Sequence, residues 1–147
     1  MDKINCISGV KLTPLKKIAH PLGDVLHAMK SSDIGFVGFQ EAYFSTIKYG
    51  VIKPWKKHLQ MTLNLIVPIG EIRFILYDDR EESFTKEQFM DINLSLDNYF
   101  RLTVPPGIWV GFRGEGNSIN MLLNLADLEH DPLEVERTDI DTFKFKW

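Results

Sequence analysis

A single cysteine, Cys6, is the chain's whole thiol content, so no internal disulfide can staple it. A reducing cytoplasm is the simpler expectation. Long apolar runs are also missing. None approaches the roughly 18 residues of a membrane span, and the first twenty residues lack the apolar block of a secretory signal. Charge of one sign is absent too: 17 Lys and Arg face 20 Asp and Glu, for a net charge of -3. That balance gives no general reason to expect nucleic acid or an acidic membrane as a partner. No repeat, low-complexity tract or linker breaks the 147 residues, which fit one domain, 1–147.

Motifs for several chemistries are equally absent. His20, His27, His58 and His130 form no HxH pair and no HExxH, and no cysteine cluster accompanies them. The expectation is therefore no metal. No glycine-rich phosphate loop of the Walker or dinucleotide kind occurs, and no serine nucleophile elbow.

What is present is alternation with a period of two. In "EIRFILYDD", Ile72, Phe74 and Leu76 oppose Glu71, Arg73 and Tyr77, with Ile75. In "SINMLLNLAD", Ile119, Met121, Leu123 and Leu125 oppose Asn120, Leu122, Asn124 and Ala126. "YFRLTV", "GFQEAYFSTI", "MTLNLIV" and "DVLHAMK" read as strands as well. Turn signals separate them, among them "PIG" at 68–70, "PPG" at 105–107 and "GEGN" at 114–117. "SFTKEQFMDI" has a helix cap in Ser83 or Thr85, but its Phe89–Asp91–Asn93 alternation favours a strand. The final "DTFKFKW" alternates Phe143, Phe145 and Trp147 with lysines. Strands at this spacing point to a sandwich or barrel.

One stretch carries chemistry. "GVIKPWKKHLQMT" sets His58 beside Lys53, Lys56 and Lys57 at the start of a strand pattern. Imidazole titrates near neutrality, so it can serve as a general base. The lysines would hold a phosphorylated substrate and favour the neutral imidazole. A solvated basic face is the plainer reading of the same residues. His27 reads as a packed or interface histidine. His130 and Asp131 read as a loop turning at Pro132.

The order "EAYFSTIKYGVIKPWKKH", "VPIGEIRFILYDDREESF", "NYFRLTVPPGIWVGF" and "LADLEHDPLE" resembles the dTDP-4-dehydrorhamnose 3,5-epimerase family over about residues 20 to 135. The resemblance implies an all-β cupin jelly-roll barrel (a double-stranded β-helix) and a homodimer. It also implies a nucleotide-diphosphate sugar as partner, an NDP-4-keto-6-deoxy sugar. The reaction implied is proton abstraction beside the ketone and return to the opposite face, without a cofactor. His58 stands where the family has its base, after "GVIK", with Lys53 in place of an arginine and two extra residues before the histidine.

The match has gaps. Leu123 falls where the family has a tyrosine acid, Leu63 where it has a lysine, and Val110 where it has a histidine. Asp139 and Asp141 are loose candidates for the aspartate that partners the base. Tyr43, Tyr77 and Tyr99 are candidates for the missing phenol. Arg73 and Tyr77 share the less apolar face of their strand, a possible ligand-facing wall that would let Arg73 join the lysines at a pyrophosphate. Three readings follow: an epimerase, a 3,4-ketoisomerase that shifts the carbonyl, and a non-catalytic barrel that binds a nucleotide sugar or a protein. The aromatic C-terminus and the N-terminal strand are expected to cover or extend a sheet edge.

Overall fold

A computed structural model describes residues 5–147. Its strands are β1 (Lys11–Pro14), β2 (Lys17–Ile18), β3 (Val25–Leu26), β4 (Glu41–Ile47), β5 (Ile52–His58) and β6 (Leu63–Ile69). There follow β7 (Glu71–Asp78), β8 (Phe89–Ser95), β9 (Phe100–Val104), β10 (Ile108–Gly114), β11 (Asn120–Ala126) and β12 (Val135–Arg137). Two five-stranded sheets, ordered β1-β9-β6-β11-β4 and β12-β5-β10-β7-β8, carry these strands, with β2-β3 as a small hairpin. All pairings within the two large sheets are antiparallel. This is the all-β sandwich to which the alternation pointed, and the jelly roll that the family resemblance implied. "DVLHAMK" contributes only the two strand residues of β3, and "SFTKEQFMDI" becomes turns leading into β8.

The core lies between the two sheets, as face-to-face packing requires. Sheet two supplies Ile72, Phe74 and Leu76 from β7, with Met90, Ile92 and Leu94 from β8. Sheet one supplies Leu63, Leu65, Leu102 and Val104. On β11 the buried face is the one bearing asparagines. Asn120 and Asn124 are fully buried, while Met121, Leu123 and Leu125 on the other face are half-exposed. Burial is affordable there because every amide partner is found. Asn120 Oδ1 accepts from the backbone N–H of Glu71 and Gly116, and its Nδ2 donates to the carbonyls of Ile47 and Gly116. Gly70 sits at φ 76°, and a Cβ there would fall 2.3 Å from Asn120 Oδ1, so the "PIG" turn requires glycine.

The outer face of sheet two holds a second apolar cluster: Trp55, Ile75 and Trp109, with Tyr77 and Phe89. The C-terminal segment covers it. Phe143 stacks on Tyr77 at 4.4 Å between ring centroids and meets Trp55 edge-on at 5.4 Å. Phe145 and Trp147 extend the cover. The alternating "DTFKFKW" is thus no strand and covers a sheet face, not an edge. The edges belong to β1 and β4 in one sheet and to β12 and β8 in the other.

Asp78 is wholly buried at the end of β7 and anchors the "DDREESF" turn. It accepts from Arg80 Nε and Nη2, from the Arg80 N–H, and from the hydroxyls of Ser83 and Thr85. Burial pushes its carboxyl up, but these donors outweigh burial and hold it well below the usual carboxylate range.

Candidate active site

The pairing of β5 with β10 is irregular, and the irregularity builds the site. Lys56 lies opposite Val110 and Lys53 opposite Phe112, so three steps on β5 match two on β10. The extra residue is a bulge, which reverses the inside–outside parity of the strand. Lys53 therefore joins Lys56 and His58 on the inner side, while Trp55 and Lys57 face outward.

These residues line a cavity of about 130 Å³ between the sheets. Tyr43 and Ser45 on β4 form one wall, and Lys53, Lys56 and His58 on β5 form the other. Leu65, Phe74, Val110 and Leu122 supply an apolar floor. The volume is small beside the roughly 300–1,000 Å³ of pockets that take a whole ligand. It suits one ring of a larger molecule, with the remainder at the rim.

His58 is held from behind. Its Nδ1 is hydrogen-bonded to Glu134 Oε1, and Glu134 is 5% exposed. The other carboxylate oxygen of Glu134 accepts from the backbone N–H of Gln60 and Met61, each at 3.1 Å. Burial pushes the Glu134 carboxyl up, yet the His58 contact and the two backbone donors prevail and lower it from its ordinary value. An ionised carboxylate only accepts, so Nδ1 carries a proton, and in the neutral ring the lone pair then lies on Nε2. A base oriented in this way is what proton abstraction needs.

The opposite wall offers a proton. Asn124 Nδ2 donates to the Tyr43 hydroxyl oxygen at 3.1 Å. The amide cannot be turned round, because Asn124 Oδ1 accepts from the Asn64 N–H. With its oxygen already accepting, the Tyr43 hydroxyl has its own hydrogen free to donate.

Several sequence candidates lie elsewhere. Arg73 and Tyr77 are on the outer face of β7, because Ile72, Phe74 and Leu76 take the inner one. Arg73 forks onto Asp91 at 2.9 and 2.7 Å and lies over the Phe145 ring. Tyr77 packs among Phe89 and Phe143. Lys57 also faces outward, bridging Asp79 and Glu136 at 3.4 Å each, above the Trp109 ring. Tyr99 is buried, and its hydroxyl donates to the His27 carbonyl. Asp139 precedes the short 3-10 turn Ile140–Thr142, which contains Asp141, and neither contacts His58 among the described residues. Glu134 holds the position for which those two aspartates were candidates. The signal for it was the "DPLE" piece: Asp131 caps the turn at Pro132 by accepting from the Leu133 N–H, and that turn delivers Glu134. Asn124 gave no signal, since an asparagine in a strand reads as solvent-facing. Among the described residues no group of three potential ligands could hold a metal.

Known proteins share this arrangement of sheets. A dTDP sugar isomerase from Desulfovibrio desulfuricans G20 superposes with a TM-score of 0.92 at 35% identity, over 96% of this chain and 92% of that one. This chain belongs to the dTDP-4-dehydrorhamnose 3,5-epimerase family, as a divergent member. Other relatives of the epimerase-family chain span nearly its full length. The probable low-salt glycan biosynthesis epimerase Agl13 of Haloferax volcanii is 29% identical over 92% of this chain and 89% of its own. The spore coat polysaccharide biosynthesis protein SpsL of Bacillus subtilis is 26% identical over 96% of each. No protein-family model matches the chain.

Proposed function

We propose that this protein is a nucleotide-sugar epimerase acting beside the ketone of an NDP-4-keto-6-deoxy sugar, with His58 as base. The observation that carries the reading is the His58–Glu134 pair at the wall of a half-apolar cavity. His58 Nε2 takes the proton from the carbon next to the ketone, and the electron pair moves onto the carbonyl oxygen. The enolate so formed needs a cation or donor nearby, and Lys53 lines the same cavity. Tyr43 on the facing sheet then gives its proton to the opposite face of that carbon. Its phenolate is stabilised by the Asn124 N–H until solvent reprotonates it. The ketone itself delocalises the charge, so these steps call for no cofactor.

A 3,4-ketoisomerase would use the same base but return the proton on one face and move the carbonyl. The pairing of His58 and Tyr43 on opposite walls favours inversion. Incubation with an NDP-4-keto-6-deoxyhexose followed by NMR of the product separates the two: inversion at an adjacent carbon supports epimerisation, and a carbonyl at C3 supports isomerisation. A barrel that only binds the nucleotide sugar would give neither.

The reading includes a homodimer and a cytoplasmic setting. Phe44 is 64% exposed on the outer face of sheet one, next to Leu123, with Ile69 and Met121 beside them. A second copy would cover this apolar area. Sedimentation velocity at micromolar concentration checks it, and a species of monomer mass alone contradicts it. Among the described residues no helix is long and apolar enough to cross a membrane.

A further inference from the structure

Sheet two carries six cations, and half of them are matched. Arg73 pairs with Asp91, Arg113 with Glu115, and Lys57 with Asp79 and Glu136. Lys53, Lys56 and Arg137 meet no carboxylate among the described residues, and these three are neighbours. Residues directly opposite in an antiparallel pair project from the same face. On the outer face, Glu136 lies opposite Lys57 and bridges it. One step along, toward the cavity side, Arg137 lies opposite Lys56. Like charges so placed destabilise a sheet. Partial desolvation, then Arg137 and Lys53, lower the Lys56 amine from its ordinary value. The strand pair is charge-matched on one face and mismatched on the other, and the mismatch stands at the rim of the cavity.

We propose that Lys56 and Arg137 form a two-strand clamp for the diphosphate of the nucleotide sugar, an inference that rests on the function proposed above. The small cavity takes the sugar ring, so the charged link emerges at this rim. Arginine supplies a fork for two phosphate oxygens and lysine a point charge. The clamp also reaches the base. Val135 lies opposite His58 on the same strand pair, and Glu134 immediately precedes it. An anion between Lys56 and Arg137 removes the repulsion two residues from the dyad and ties β12 to β5, holding Glu134 against His58. Binding energy from the non-reacting diphosphate is thereby used at the reacting carbon.

The test is calorimetric titration with inorganic pyrophosphate at low and high salt, with melting curves of the free proteins. Wild type binds in the millimolar range or tighter, and affinity falls with salt. Arg137→Gln binds about tenfold more weakly. Arg137→Glu, which reproduces the matched pattern of Lys57 and Glu136, loses binding yet melts higher than wild type without ligand. Lys57→Ala binds as wild type. The clamp is overturned if wild type fails to bind, or if both Arg137 variants bind as wild type does. Arg137-dependent pyrophosphate binding in a protein that exchanges no sugar proton supports the clamp and contradicts the epimerase. His58-dependent exchange with unchanged pyrophosphate binding in both Arg137 variants does the reverse.

Discussion

Glu134 closes on His58 from 76 residues further along the chain, and it does so with both carboxylate oxygens engaged. One oxygen meets Nδ1 of the ring and the other collects two backbone N–H groups. This division of labour makes Glu134→Gln informative. The glutamine carbonyl would have to serve the Gln60 and Met61 N–H groups, which turns its NH₂ toward Nδ1. The ring would then protonate on Nε2 and lose its base. The variant is expected to fold, with Tm near wild type, and to lose about 10²–10⁴-fold in turnover. Turnover near wild type would mean that the tautomer is fixed by something else.

Tyr43→Phe removes the proposed acid and leaves the base. Abstraction and return on the same face continue, so solvent deuterium still enters the sugar. Inversion slows by about 10²-fold. NMR that follows both events in one sample checks the ratio. Equal loss of exchange and inversion would place Tyr43 in binding and not in proton delivery.

Tyr77→Phe and Lys57→Ala act on the outer face of sheet two. Both are expected to keep kcat/KM within about twofold of wild type, because neither side chain lines the cavity: Tyr77→Phe keeps the ring that packs on Phe89 and Phe143, and Lys57→Ala removes only an outer-face ion pair. A tenfold loss in either would contradict the assignment of the cavity to the inner face.

Asp78 gives the fold a pH dependence. Its folded pKa is lowered, so the unfolded chain binds the extra proton, and stability rises with pH through the acid range. The contribution is complete above about pH 4, the ordinary carboxylate value, and is lost as pH falls toward the lowered one. Asp78→Asn leaves donors from Arg80, Ser83 and Thr85 short of an acceptor and costs about 2–3 kcal/mol at neutral pH. The gap between wild type and variant in urea melts should narrow on acidification. A constant gap from neutrality to pH 3 would contradict this.

Much of this was legible in the chain. Period-two alternation in β7, β9 and β11 gave the strands, and the "GVIKPWKKH" stretch pointed to His58 and to two of the lysines that line the cavity. Orientation was not legible. On β7 the polar residues Arg73 and Tyr77 looked like a ligand wall, but the C-terminal aromatics make that face a second core. On β11 the buried face carries Asn120 and Asn124, which a hydrophobicity pattern sends to solvent. Strand alternation identifies two faces, and only tertiary partners decide which one is inside. The bulge in β5 was equally hidden, and it alone brings Lys53 round to the side of His58. Glu134 was within reach of the sequence, since the Asp131–Pro132 turn that delivers it stood in a recognised piece.

The central claim is that His58 removes a proton from a carbon beside a ketone. Incubating an NDP-4-keto-6-deoxyhexose in D₂O with wild type and with His58→Asn, and reading deuterium at C3 and C5 by NMR, tests it directly. Wild type is expected to incorporate deuterium at one or both carbons, and His58→Asn to fall to the buffer rate while remaining folded. Incorporation at equal rates by the two proteins would contradict the account.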